Sequence, residues 1–104
     1  MQGVCLKFFV GEAQRHGSEL LYEWLLERAR DMGIGGGTAL RAIAGFGRHG
    51  RLHEEAFFEL AGNLPVEVEF LASAEQAERL LALLRTESLR LFYVAMPAEY
   101  GITG

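Results

Sequence analysis

From Val4 to Val10 the chain keeps a two-residue period: Val4, Leu6, Phe8 and Val10 fall on one face and Cys5, Lys7 and Phe9 on the other. That period predicts a strand, apolar on both faces except at Lys7. Gly11 to Gly17 reads as a turn. Ser18 then suits an N-cap, and Leu21, Leu25, Arg28 with Ala29, and Met32 recur at helical spacing until Gly33 supplies a stop, which predicts a helix over Glu19 to Met32. Gly35, Gly36 and Gly37 make a helix-to-strand turn, and Thr38 to Ala44 reads as a second strand with Leu40 and Ile43 on opposite faces. From Gly45 to Asn63 the chain is polar and irregular, although Glu54 to Ala61 could form a short helical turn on Phe57, Phe58 and Leu60.

Pro65 can open a strand, and Val66, Val68 and Phe70 alternate with Glu67 and Glu69 after it. Ser73 and Gln76 form a capping box, and Ala77, Leu80, Leu81 and Leu84 follow at helical intervals, predicting a helix over Ala74 to Arg85. Leu89 to Met96 reads as a last strand, ended by Pro97. The order βαββαβ, with right-handed crossovers, predicts an α+β ferredoxin-like sandwich: one four-stranded antiparallel sheet with two helices on one face.

Two helices cover only one face of such a sheet. Strand three turns Glu67 and Glu69 outward, but the first strand offers Cys5 and Phe9, and the last offers either Leu89, Leu91 and Tyr93 or Phe92, Val94 and Met96. Burying such side chains contributes about 25 cal/mol per Å² of apolar area, so a second copy of the chain is the expected cover and a homo-oligomer is predicted.

Composition narrows the classes. The 104 residues suffice for a single domain, 1–104, and the 50% hydrophobic content excludes low-complexity disorder. Cys5 is the single cysteine, which excludes a disulfide scaffold, and in an apolar stretch it reads as a small buried hydrophobe. The net charge of −4 argues against nucleic acid as a partner. No run approaches the ~18 apolar residues of a membrane span, and Gly11, Glu12, Gln14 and Arg15 interrupt the first apolar segment before signal-peptide length, so a cytoplasmic protein is expected.

Seven of the 13 glycines fall between Gly33 and Gly50. The run Gly33 to Gly37 lacks the lysine and serine of a phosphate-binding loop and leads from helix to strand, the reverse of the geometry that aims N–H groups at phosphate. No serine, cysteine or histidine stands at a recognised catalytic spacing, and the chain is expected not to be an enzyme. His49 and His53, with Glu54 and Glu55 beside them, would suit a divalent metal on a helix, but Gly47 and Gly50 argue for a solvated loop. Gly45-Phe46-Gly47-Arg48 is a stronger candidate: its glycines permit close backbone approach, and Arg48 offers a forked donor for phosphate or carboxylate. The alternative is a strand-ending turn with Arg48 in water. The connection that follows, to Asn63, exceeds the ~12 to 15 residues of an ordinary loop.

These residues carry a resemblance. Gly45-Phe46-Gly47-Arg48 at the end of strand two resembles the start of the T-loop in PII signal-transduction proteins. The whole chain is similar to the PII-like family called domain of unknown function 190, through Leu6 to Gly11, the helix-to-strand junction Arg28 to Thr38, Gly45 to Gly47, His53 with its acidic-aromatic surroundings, and Leu64 to Phe70. The resemblance implies a homotrimer of ferredoxin-like subunits. It further implies a non-enzymatic signalling protein that binds a ligand, an adenine nucleotide in PII proteins, in clefts between subunits, with a T-loop-like segment at 47–63 that contacts a partner protein. Where PII proteins carry a glycine-rich, lysine-bearing loop before the last strand, this chain has Arg85-Thr86-Glu87-Ser88, which leaves Arg85 and Arg90 as the implied phosphate partners by position. Some members of the family are linked to a fluoride-exporting channel, which implies a membrane transporter or channel as partner. The alternative is a structural or divalent-metal-responsive trimer similar to the cation-tolerance proteins, with His49 and His53 as ligands.

Overall fold

The alternating segment at the N-terminus becomes the second of two central strands in a computed structural model that describes residues 1–45 and 64–104. In chain order the elements are β1 (Gln2–Gly11), β2 (Arg15–His16), β3 (Glu19–Leu20), α1 (Leu21–Asp31), β4 (Gly36–Arg41), β5 (Pro65–Ala72), α2 (Ala74–Thr86) and β6 (Phe92–Glu99). β1 pairs antiparallel with β5 and with β6, and β4 adds outside β5, giving the order β4-β5-β1-β6. This is the expected ferredoxin-like sheet with both helices on one face. Leu6, Phe8 and Val10 of β1 and Val66, Val68 and Phe70 of β5 meet Trp24 and Leu25 of α1 and Leu80 and Leu84 of α2 in the core, and no described polar or charged side chain is buried.

Local signals fix both helix junctions at the end of the sheet where β4 begins. Gly33, at φ +86°, follows α1, and its N–H donates to the Arg30 carbonyl while Ile34 N–H reaches the Ala29 carbonyl. This is a Schellman stop, with the buried pair Ala29 and Ile34 closing it. The capping box of α2 forms as expected: Gln76 N–H donates to Ser73 Oγ at 3.0 Å, and Ser73 N–H to Gln76 Oε1 at 2.9 Å. The Gln76 amide then donates to the Gly33 carbonyl at 3.0 Å, tying the two helices together.

Other boundaries differ from the sequence pattern. Ser18 does not cap α1; Gly17, at φ +65°, and Ser18 form the turn of the β2–β3 ribbon, and the helix starts at Leu21 with Leu20 as an N-cap that makes no side-chain bond. β4 starts at Gly36, because Gly37 pairs with Phe70 and leaves room for its ring, where a Cβ would lie 2.8 Å from Phe70 Cε1, and it stops at Arg41, short of the expected Ala44. Only Gly35 of the glycine run remains in the turn. β6 starts at Phe92, since Leu89 and Leu91 pack half-buried on the core, and it runs through Pro97. An edge strand tolerates proline, whose missing N–H can face away from the ladder.

The register also decides the outer face. Phe92, Val94 and Met96 stand beside Phe9, Lys7 and Cys5, next to Glu67, Glu69 and Leu71 of β5. Cys5 is half-buried on this face, not in the core.

Candidate functional site

Antiparallel pairing brings the end of β1 at Gly11, the end of β4 at Arg41, the start of β5 at Pro65, the start of β6 at Phe92 and the end of α2 to one end of the sheet. The chain leaves β4 and rejoins β5 here. Ala42 N–H donates to the Pro65 carbonyl at 2.8 Å, and Glu12 N–H donates to the Leu64 carbonyl at 2.8 Å. The Glu12 carboxylate holds both sides of this junction: Arg41 Nη2 lies 2.8 Å from its Oε2, and Leu64 N–H reaches its Oε1 at 3.4 Å. The Arg41 side chain is 64% exposed, and a pair of this kind contributes about 0–1 kcal/mol to stability. Gly45 is exposed beside Pro65, where an added Cβ would make only an ordinary contact at 3.5 Å.

The other candidate arginines lie across the sheet. Arg85 is exposed in the last turn of α2, and Arg90 is exposed between α2 and β6. Ser88, at φ +58°, takes the left-handed position that usually falls to glycine; its N–H donates to the Arg85 carbonyl and Leu89 N–H to the Leu84 carbonyl. His16 Nε2 lies 2.9 Å from Glu87 Oε1, and the His16 ring stands edge-on to Trp24 at 4.7 Å, so the β2–β3 ribbon holds this connector in place. β4 and β6 are opposite edges of the sheet. Within one chain the β4–β5 side, where Gly45 lies beside Pro65, and the β6 side, where Arg90 lies, are therefore separated by two to three strand spacings, roughly 10 to 14 Å.

Sequence reasoning missed Glu12, Arg41 and His16. Nothing local marks them, since each acts through a residue distant in sequence; only the register of β1, β5 and β4 places Glu12 beside Arg41. Phe46, Gly47, Arg48, His49 and His53, and the helical turn expected at Glu54 to Ala61, lie outside the described residues. Among the described residues, no group of three or more histidine, cysteine or acidic side chains is placed to hold a metal.

The open sheet face is apolar at its borders and charged at its centre. Phe9 and Phe92 meet at 5.8 Å between ring centroids, and each is exposed by about two-fifths, as are Leu71 and Met96. Lys7 Nζ lies 3.9 Å from Glu69 Oε2. The hydrogen bond to Glu69 holds the Glu67 carboxyl above its ordinary range, with partial burial adding to this and Lys7 opposing it. A carboxyl raised on folding contributes stability that is present below its unfolded pKa and is lost as pH rises through the folded value. This group is thus expected to make thermal stability decline as pH rises through the carboxylate range. Glu67→Gln should flatten that slope in midpoints measured against pH; an unchanged slope would remove Glu67 as its source.

Comparison with known proteins agrees with this architecture. The sequence matches the DUF190 family, described as uncharacterized ACR, over residues 3–92, and the chain belongs to that family. A UPF0166 protein of Aquifex aeolicus is 37% identical over 76 residues, covering 73% of this chain and 72% of the relative. A UPF0166 protein of Methanocaldococcus jannaschii is 33% identical over 76 residues, covering 73% and 69%. Among solved structures, CPII of Thiomonas intermedia K12, a PII-like protein bound to ADP and bicarbonate, matches with a TM-score of 0.64 at 19% identity, covering 98% of this chain and 91% of that one. The fold is PII-like. Among the described residues, no helix is long and apolar enough to cross a membrane.

Proposed function

We propose that the chain is a non-enzymatic, PII-like regulatory protein that assembles as a homotrimer, binds an adenine nucleotide in the clefts between subunits, and contacts a partner protein through the segment 47–63. A membrane transporter or channel is the partner this reading favours. One observation carries it: Gly45, beside Pro65 on the β4–β5 side, and Arg90, just ahead of the opposite edge strand β6, share one end of the sheet but lie on different sides of it, with Arg85 at the end of α2 between them. Within one chain the described residues close no site between them. A neighbouring copy that brings its own edge alongside would, and the open sheet face supplies the apolar surface for that contact. The T-loop root, Gly45 to Arg48, would then stand on one side of the nucleotide and Arg85 and Arg90 on the other. The ligands of CPII, which include ADP, AMP and bicarbonate, support the choice of adenine nucleotide.

Thermal-shift measurements with ATP, ADP, AMP and cyclic nucleotides test the reading. A ligand at about 100 times its Kd stabilises the folded state by about 2.7 kcal/mol, a rise of several degrees, and Arg90→Ala should reduce it. No shift with any of them at millimolar concentration removes the nucleotide from the proposal.

A further inference from the structure

Arg41 ends β4 beside the junction with β5, next to the segment that leads to Gly45. It pairs with the core-facing Val66, so its side chain leaves the sheet on the helix side, and covering the open face leaves it accessible. A guanidinium carries several N–H donors in a planar fork, and among the described residues the ion pair of Arg41 engages Nη2. The carboxylate it meets belongs to Glu12, which grips Leu64 through its backbone N–H and, at longer range, through its side chain. An exposed pair of this kind is weak, whereas phosphate oxygens offer the same fork a charge-assisted, two-point contact. The arrangement has the form of an exchange site: an arginine occupied by an internal carboxylate that a stronger oxyanion can displace.

We propose that Arg41 is the phosphate-contacting cation on the β4 side of the cleft, and that Glu12 is its competing internal anion. A phosphate group reaching Arg41 frees the Glu12 carboxylate, and the change is felt at Leu64, where the chain rejoins the sheet. The ligand class is a polyphosphate ester, and the proposal rests on the nucleotide reading above while adding the residue that recognises the phosphates and the one that opposes them.

The full-length assembled protein is titrated by calorimetry with ATP and, separately, with inorganic tripolyphosphate. Arg41→Gln is expected to weaken the binding seen with either probe by about tenfold or more, the loss of one charged hydrogen-bonding partner. Glu12→Gln is expected to strengthen it, a direction that a merely structural Glu12 would not produce. The Leu64 amide resonance should move on ATP addition to the wild type and stay in place in Arg41→Gln. Wild-type ATP binding that Arg41→Gln leaves unchanged would overturn this proposal while leaving the nucleotide reading intact. Binding by Glu12→Gln alone would uphold Glu12 as the competing anion and remove nucleotide binding from the native chain. Absence of binding by both would overturn both.

Discussion

Phe70→Ala should lower the stability of the domain by about 3–5 kcal/mol, which approaches the whole margin of a small protein. Phe70 is 1% exposed at the centre of the sheet, and its ring meets Phe8 edge-on at 6.2 Å. The space it fills is shaped for it: Gly37 stands opposite with no side chain, and Leu26 closes the same corner. Removing the ring leaves a void between strand and helix that Gly37 cannot fill and that Phe8, already fully buried, can enter only by giving up packing elsewhere. The measurement is a urea unfolding curve at fixed protein concentration, with Phe70→Leu as a milder comparison expected to lose less than half as much. A loss of under about 1 kcal/mol in the alanine variant would mean that the surrounding core collapses around the gap.

Leu71→Asp should have the largest effect on function despite its distance from the candidate site. Leu71 is on the open face, two-fifths exposed, near the far end of β5. It lies six positions along from Pro65, roughly 20 Å along the strand. A carboxylate there adds charge beside Cys5 and near Met96, on the surface that a second copy buries in the proposed trimer. Sedimentation at micromolar concentration is expected to find monomer in place of the proposed trimer, and the thermal response to adenine nucleotides proposed for the wild type should vanish with the assembly. A variant that remains trimeric would place the interface elsewhere. One that is monomeric yet keeps its nucleotide affinity would put the site within a single subunit.

The parts of the fold legible in the sequence are those set by neighbours in the chain. Ser73 and Gln76 are three residues apart and satisfy each other, so the start of α2 is visible without tertiary information. Gly33 marks the end of α1 for the same reason. Ser18 misleads because a good capping residue is also a good turn residue, and pairing of His16 with Glu19 settles which it becomes. Pro97 misleads because its tolerance depends on β6 being an edge, a property of the finished sheet. The candidate site divides in the same way. Gly45, Arg85 and Arg90 follow from motif and position, whereas Glu12 and Arg41 meet through two strand registers, and no local spacing encodes that contact.

The hydrogen bond from Gln76 to Gly33 gives the two ends of the sheet different sensitivities. At that end the helices are joined by an uncharged amide and two satisfied caps, contacts on which added salt has little effect. At the other end Arg41 and Glu12 are joined by opposite charges within reach of water. Raising the ionic strength shortens the range of exposed charges, to about 3 Å at 1 M. Salt is therefore a selective perturbant of this protein, weakening the Arg41–Glu12 pair at concentrations that leave the helix clamp and the backbone bonds of the β4–β5 junction in place.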